Sequence, residues 1–322
     1  MQVKSLLPQY SRFSIREDVI DWLLEGDVSI QYQVHKYLFN EERPDLQERI
    51  LTEGWGKAFM DARNSDGGWG EKYYQPKWTS THYTLLDICQ LMPVKDARIN
   101  SIIEKTITET KGPDGGILPI GNTQVSDMCI NGMFLNFASY FEAGEEGLQS
   151  VVDCLIDQWM PDGGFNCRLN RSGARHSSMH TTISVLEGIS SYLSKGYQYR
   201  KDYLIKCRDQ SIEFLLIHNL FKSDHTGEII HKDFLKLCHP SRWKYNVLRA
   251  LDYFALVNVP WDDRMKEGIM SVLSKINKSG TFNVQAHHSG KVHFVMEKAG
   301  RPSRWNTLRV LRVLKEYSSK LQ

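Results

Sequence analysis

Three residues of types that bind zinc lie at related positions in this chain. Asp127 and Cys129 open one apolar run, and His180 lies near the start of the next, 51 residues after Cys129. Residues i and i+2 reach a common point only in the first turn of a helix, where the helix dipole also favours a thiolate. A carboxylate, a thiolate and an imidazole leave one position on Zn²⁺ open, as in catalytic sites. The sequence therefore predicts a zinc site formed by Asp127, Cys129 and His180.

His176 precedes His180 by one helical turn, so the two side chains are expected to share a helix face. We assign His176 as the candidate catalytic base, with a fourth metal ligand or a hydrogen-bond partner of a ligand as alternatives. If His176 binds the metal, the site is closed and structural. The alternative for the whole cluster is a small buried Cys129, Asp127 as a helix cap and His180 in the core.

A repeated four-residue motif, Pro-Ser-Arg-Trp, supplies candidate anion-binding residues. Pro240-Ser241-Arg242-Trp243 and Pro302-Ser303-Arg304-Trp305 each precede an apolar helical run. Guanidinium groups there could hold a phosphate, diphosphate or carboxylate. We expect Arg242, Trp243, Arg304 and Trp305 to bind the anionic part of a substrate. Ion pairs with acidic residues of neighbouring turns, together with tryptophan packing, are the alternative.

A sequence repeat positions these residues. Asp-Gly-Gly turns begin at Asp66, Asp114 and Asp162, 48 residues apart in each case. A Gly-Gly pair suits a turn that needs positive φ, and Asp hydrogen-bonds its own turn backbone. A fixed period of this length indicates a repeat architecture. Gly280 lies in a degenerate copy of the turn, and a weaker copy surrounds Gly227.

The spacing of apolar residues predicts six helical hairpins, each with an outer and an inner helix. Outer helices are predicted at Ile15–Leu24, Leu46–Arg63, Ile99–Thr110, Gly147–Trp159, Lys201–His218 and Asp263–Lys275. Inner helices are predicted to begin near Ser29, Ser80, Ser126, Ser177, Arg242 and Ser303. The last inner run is as apolar as the middle ones, so it lacks the polar cap of an open solenoid. We therefore expect an all-α fold, an α/α toroid in which the hairpins form a closed double ring, as one domain over residues 1–322.

Composition argues against several classes of function. The chain has 322 residues, a net charge of +2 and a pI of about 8.1, a balance that gives no reason to expect nucleic-acid binding. Its six cysteines are scattered, which is typical of reduced thiols. The first residues are too polar for a signal peptide, and no apolar run is long enough for a transmembrane segment. We expect a cytoplasmic protein.

The segment FMDARNSDGGWG, residues 59–70, resembles the aromatic-to-Gly-Gly-Trp repeat of terpenoid cyclases and protein prenyltransferase β subunits, which share the α/α-toroid fold. The resemblance covers nearly the whole chain at the level of fold, although Arg63 stands near the position of the usual Gln. In the prenyltransferases an Asp-x-Cys and a His-Thr hold the zinc that activates a thiol. Those motifs fall on Asp127, Cys129 and His180-Thr181, so the resemblance implies the same zinc site.

The remainder of the prenyltransferase site differs in this chain. The Arg and Lys of the isoprenoid-diphosphate pocket are replaced by Gly121 and Gln124, and a Tyr is replaced by Ile130. The diphosphate-binding His falls near Ser80, and no α subunit is visible in the chain. The resemblance therefore supports zinc binding more than protein prenylation.

These observations favour a zinc-dependent, prenyltransferase-like transferase that activates a thiol or water. Its substrate is expected to be a small molecule or peptide with an anionic group, isoprenoid in that family, and any protein partner is unknown. A non-catalytic toroidal binding protein, with a structural metal or none, is the alternative. Terpenoid cyclases use an Asp-x-Asp-Asp acid, whereas the nearest pair here, Asp262-Asp263, begins an outer helix. Polysaccharide-active toroids need paired carboxylates, whereas the three Asp-Gly-Gly aspartates are explained as turn residues.

Overall fold

The computed structural model describes residues 16–119, 124–167 and 173–321. Over these ranges the chain is mostly helical, which confirms the all-α prediction at the level of secondary structure. Strands β1 (Phe282–Asn283) and β2 (Pro302–Ser303) form one antiparallel pair, with Phe282 opposite Ser303. The helices are α1 (Glu17–Leu24), α2 (Val28–Val34), α3 (Pro44–Arg49), α4 (Gly54–Asp61), α5 (Thr81–Leu91), α6 (Ala97–Thr110), α7 (Met128–Tyr140), α8 (Glu145–Asp157), α9 (Met179–Ser194), α10 (Lys201–Ile217), α11 (Val247–Leu256), α12 (Lys266–Leu273) and α13 (Arg304–Tyr317).

Six helices are buried on nearly all sides, and we call them the inner helices: α2, α5, α7, α9, α11 and α13. In α5, for example, every residue from Thr81 to Cys89 is buried. The helices between them are amphipathic: α6 buries Ile99, Ile103 and Thr106 and exposes the intervening charges. No helix in the ranges described is long and apolar enough to span a bilayer.

The predicted glycine turns are present and share one hydrogen-bond pattern. Gly163, at φ +91°, donates from its backbone N to Met160 O at 2.9 Å, and Met160 N donates back to Gly164 O at 3.0 Å. Thr182, in the first turn of α9, accepts a bond from the backbone N of Phe165 at 3.0 Å. The same tie joins Trp69 to Thr81, Ile117 to Asn131 and Phe282 to Thr307. Each turn is thereby fixed to the start of an inner helix, including the degenerate copy at Gly280.

Two predicted helix bounds are wrong, and each has a local cause. The inner helix expected near Arg242 begins at Val247, because Arg242 has a left-handed φ of +53° and Asn246 caps the helix. The outer helix expected over Leu46–Arg63 is split into α3 and α4 at Gly54, whose φ is +52°. At that break the Asp27 carboxylate accepts a bond from the backbone N of Trp55 at 2.8 Å.

Helices α7 and α9 approach each other closely enough to require glycine. A Cβ at Gly188 would lie 2.3 Å from the carbonyl oxygen of Gly132. We expect Gly188→Ala to lower the free energy of unfolding by about 3 kcal/mol, because backbone must move to admit the methyl group. Gly147→Ala is the matched helical control, since its Cβ would meet only side-chain carbons of Ile107, at 3.2 and 3.3 Å. Urea denaturation of both variants checks this, and equal changes would contradict the close approach.

Candidate functional site

Asp127 and Cys129 lie at the start of an inner helix, as the sequence predicts. Asp127 is the N-cap residue of α7, and Cys129 is in the first turn. The Sγ atoms of Cys129 and Cys167 are 3.5 Å apart and share a hydrogen bond. That bond and burial raise the pKa of Cys129, so its thiol is protonated at neutral pH. Cys167 is thus a neighbour of the predicted site that sequence reasoning did not single out.

His180 lies in the first turn of α9. Its Nδ1 accepts a hydrogen bond from the backbone N of Tyr245 at 2.7 Å, and its ring packs edge-on against Trp243 at a centroid distance of 5.0 Å. Burial and nearby cations lower the pKa of His180 to about 4, so the imidazole is neutral. One ring nitrogen is therefore engaged by the protein, and Nε2 is left for any further partner.

The side chains around these residues do not form a complete donor set for a metal. Within the part of the chain that the structure describes, no group of three or more His, Cys, Asp or Glu residues is placed to hold one ion. Zn²⁺ in proteins takes at least three such ligands. Zinc binding at Asp127, Cys129 and His180 therefore stays a prediction from the sequence, and no chemical step is derived through it. Gly121, one of the departures from the prenyltransferase site, lies outside the described residues.

Two of the other predicted residues have contacts of a different kind. His176 is exposed, and its carbonyl oxygen accepts a hydrogen bond from Asn166 Nδ2 at 2.8 Å. Arg304 donates from Nε to the carbonyl oxygen of Trp22 at 2.9 Å, and its guanidinium lies 4.5 Å from the centre of the Trp22 ring. This is a packing contact, whereas the alternative stated for Arg304 was an ion pair with an acidic side chain.

Arg242, in contrast, lines a cavity of about 210 Å³ at the end of the molecule where the inner helices begin. We call this cavity the Asp87 pocket. Its wall combines aromatic, acidic and basic side chains with one covering segment: Phe59, Trp78, Asp87, His239, Arg242 and residues 287–297. Trp243 lies beside it, in a neighbouring depression that also contains His180. The structure thus brings together Arg242, Trp243 and His180 at one end of the inner helices.

Asp87 supplies a deeply buried carboxyl group to this pocket. Its side chain is 2% exposed, and its Oδ2 lies 3.5 Å from Nη2 of Arg242. Its Oδ1 has no hydrogen-bond partner. Burial raises the pKa of Asp87 from 3.8 to about 6, although the Arg242 guanidinium acts in the opposite direction. A carboxyl group that carries a proton close to neutral pH suits general acid or base catalysis.

Residues 287–297 cover the pocket and are held there by specific contacts. Trp78 Nε1 donates to the carbonyl oxygen of Ser289 at 2.6 Å, and His293 Nε2 lies 2.9 Å from Thr84 Oγ1. Phe294 packs against Phe59 at a centroid distance of 4.7 Å. Glu297 closes the segment by accepting bonds from the backbone N of Arg304 and from the Ser303 hydroxyl, and so caps α13. The segment therefore covers part of the pocket, which stays partly open to solvent.

Several buried nitrogen atoms around this end of the molecule have no hydrogen-bond partner among the residues that the structure describes. They belong to His239 (both ring nitrogens), Arg242 (Nε), Trp243 (Nε1), His288 (Nε2) and Trp305 (Nε1). Buried donors without a partner are costly, so a cluster of them indicates a place for an acceptor. The Arg242, Trp243 and Trp305 atoms are N–H donors, whereas each neutral imidazole offers one donor and one acceptor nitrogen. An anionic group is an acceptor that the donors of this set fit well.

Sequence reasoning missed Asp87, although a signal was present. It is the one charged residue between Tyr83 and Leu91 in the apolar helix α5. Buried carboxylates without a paired cation are rare, so an Asp in such a run predicts a partner. That partner, Arg242, lies 155 residues further along the chain, and its neighbourhood is set by the tertiary fold.

Comparisons with known proteins give structural neighbours only. No family model matches the chain, and no curated protein matches its sequence. Solved structures of a type II terpene cyclase from Scytonema, MstE, align with it. An Asp-to-Ala variant with the product merosterolic acid A is 12% identical, covers 95% of this chain and 99% of its own, and gives a TM-score of 0.34. The apo form is 10% identical, with 86% and 98% covered and a TM-score of 0.33. An Arg-to-Ala variant with the substrate geranylgeranyl dihydroxybenzoate is 11% identical, with 94% and 99% covered and a TM-score of 0.33.

Proposed function

We propose that the inner helices form a closed α/α toroid in a single domain. Contacts between the last and the first inner helix support closure. Arg312 of α13 donates to Gln33 Oε1 of α2 at 3.3 Å. One cavity, described below, is lined by residues of all six inner helices. An open superhelix would leave the two terminal units apart.

Within this toroid we propose an enzyme that transfers a proton to a small molecule with an apolar, isoprenoid-like part and an anionic part. Asp87 is the proton donor. The observation that carries the proposal is the buried Asp87 carboxyl, which has one oxygen without a partner and lies in a pocket lined by aromatic rings. A buried acid of this kind can protonate a carbon–carbon double bond.

The aromatic side chains suit the positive charge that such a step creates. Phe59, Trp78 and Phe294 line the pocket. The Trp78 ring already holds two cations in the protein, since Arg242 Cζ lies 4.5 Å and Lys77 Nζ 4.8 Å from its centre. Ring faces attract cations through their quadrupole, and the effect is stronger in a site without water. After proton transfer, the Asp87 carboxylate stays paired with Arg242.

The unpartnered nitrogen atoms of Arg242, Trp243 and His288 are proposed to hold the anionic part of the substrate. This retains the role that the sequence predicts for Arg242 and Trp243. Binding through a charged group away from the reacting double bond would fix the substrate relative to Asp87. Zinc at Asp127, Cys129 and His180 is a separate prediction, and the proton transfer does not depend on it.

Turnover in deuterium oxide tests the proposed function. Suitable probes are geranylgeranyl diphosphate and geranylgeranyl dihydroxybenzoate, because both join an isoprenoid chain to an anion. We expect a cyclised isomer: the double bond gains one deuteron from Asp87, the resulting cation loses a proton to the solvent, and Asp87 regains a deuteron from the solvent. The product therefore carries a single deuterium, detected by mass spectrometry. A product without deuterium would exclude protonation at carbon. Tight binding of both probes without any product would instead favour the non-catalytic binding ring.

A further inference from the structure

A second cavity, of about 340 Å³, lies towards the opposite end of the inner helices. It shares no lining residue with the Asp87 pocket, and the stacked rings of Trp305 and His239, 5.0 Å apart, lie between the two. Every inner helix contributes to its wall, through Gln33, Gln90, Asn136, Ser190, Asp252 and Arg309. Its volume is in the range of small-molecule sites.

Two of the three arginines in this cavity are fully engaged by carboxylates. Arg249 holds Glu187 through Nε at 2.8 Å and Nη2 at 2.6 Å. Arg312 holds Asp252 through Nε at 2.8 Å and Nη2 at 2.7 Å. Such two-point pairs satisfy both the charge and the hydrogen-bond geometry of their members. They leave neither arginine available to a ligand without breaking a buried pair.

Arg309 is the remaining cation, and the carboxylate next to it, that of Asp252, is already held by Arg312. The Arg309 side chain is 10% exposed, and its Nε lies 3.4 Å from Asp252 Oδ2, an oxygen that already accepts from Arg312. The Nε atom makes no hydrogen bond, so this is proximity without a directed contact. Its Nη2 donates only to the neutral Gln90 Oε1, at 3.3 Å. Three guanidinium groups against two carboxylates leave the lining with one positive charge in excess.

The rest of the lining combines neutral polar side chains, such as Gln33 and Asn136, with apolar and aromatic ones. The apolar and aromatic part includes Tyr37, Met92, Tyr140, Leu256 and Val257. A lining with one excess positive charge beside apolar and aromatic side chains is complementary to a molecule with one anionic group and a hydrocarbon body. We propose that this cavity binds such a molecule, with its carboxylate or phosphate held by Arg309. The site does not depend on proton transfer at Asp87.

Binding of three probes that differ only in the head group tests the proposal on the unmodified protein. Isothermal titration calorimetry would use decanoate, decyl phosphate and decanol, each below its micelle concentration. We expect at least one anion to bind about 10–100-fold more tightly than decanol, the effect of one hydrogen-bonded charge. The tighter anion identifies the head group as carboxylate or phosphate. Equal affinity for decanol, or no binding of either anion, overturns the proposal.

Variants then locate the site. Arg309→Met keeps the bulk of the side chain but removes its charge, so the preference for the anion should be lost. Arg309→Lys should retain part of it. Arg49→Met, which removes an exposed guanidinium paired with Glu53, should bind as the wild type does. Circular dichroism verifies that each variant folds, and unchanged anion binding in a folded Arg309→Met variant would contradict the assignment. If that variant does not fold, the head-group comparison on the unmodified protein decides.

Discussion

Asp87→Asn is expected to lower the rate of product formation by about 10²–10⁴-fold, the usual contribution of a positioned general acid. The amide has the shape of the protonated carboxyl but cannot give up its proton at neutral pH. Deuterium incorporation from the solvent should disappear with the activity. A folded Asp87→Asn variant that retains most of its activity would remove Asp87 from the mechanism and leave the anion-binding role of Arg242 untouched.

The pH dependence of the rate follows from the raised pKa of Asp87. The acid form predominates below about pH 6, so kcat/KM should be highest there and fall as the pH rises through this value. The buried histidines of the pocket do not mask this limb, because burial lowers the pKa of His288 to about 4 and also lowers those of His239 and His293. Burial also raises the pKa of Glu297. If the residual kcat/KM of Asp87→Asn still falls as the pH rises, the titrating group is Glu297 or another residue, not Asp87.

Asp87→Asn is also expected to stabilise the fold at neutral pH. Because the pKa of Asp87 is raised from 3.8 to about 6, the folded wild type binds this proton more tightly than the unfolded chain. As the pH rises from about 4 to about 6, the wild type therefore loses stability relative to the Asn variant. The loss in its free energy of unfolding is on the order of 2 kcal/mol. Urea denaturation of both proteins at pH 4.5 and 7.5 measures the difference. Lost activity with gained stability is a sign of a group kept for function.

The repeating parts of this fold were predictable from sequence because each is set by local chemistry. The turn at Gly163 needs positive φ, and the 48-residue spacing repeats that need at two other Asp-Gly-Gly turns. Even the degenerate copy at Gly280 follows the pattern. The start of α11 was mispredicted because Arg242, placed in a helix by analogy with Arg304, has a left-handed backbone. The analogy between the two repeats failed at this point because the segments before α11 and α13 have different backbone conformations.

The candidate site was predictable only in part, because its contacts join distant segments. Arg242 was identified from its Pro-Ser-Arg-Trp motif, but its pairing with Asp87 depends on how α5 lies beside the loop before α11. Arg304 lies in the same motif, but its side chain donates a hydrogen bond to Trp22 instead. Sequence spacing alone does not distinguish these two arginines. The zinc ligands were inferred from spacing and resemblance, and their role stays a prediction.

The buried pair between Arg312 and Asp252 is expected to stabilise the proposed closed ring strongly. Both side chains are less than 10% exposed, and Arg312 also donates to Gln33 of the first inner helix. Arg312→Met leaves a buried carboxylate that only Arg309 can approach. We expect a loss of about 3–5 kcal/mol in the free energy of unfolding, the cost of an uncompensated buried charge. The exposed pair of Arg49 and Glu53 is the control, and Arg49→Met should cost at most about 1 kcal/mol.

A second substitution separates the effect of charge from that of packing. The double variant Arg312→Met with Asp252→Asn contains no buried carboxylate at this point, so it should recover part of the lost stability. Hydrogen exchange then reports on closure, because α2 and α13 lie at opposite ends of the chain. In a closed ring, Arg312→Met should lower amide protection in α2 as well as in α11 and α13. Unchanged protection in α2, together with a large loss in α11, would indicate that the first and last hairpins are not joined, because α2 would then be stabilised without α13.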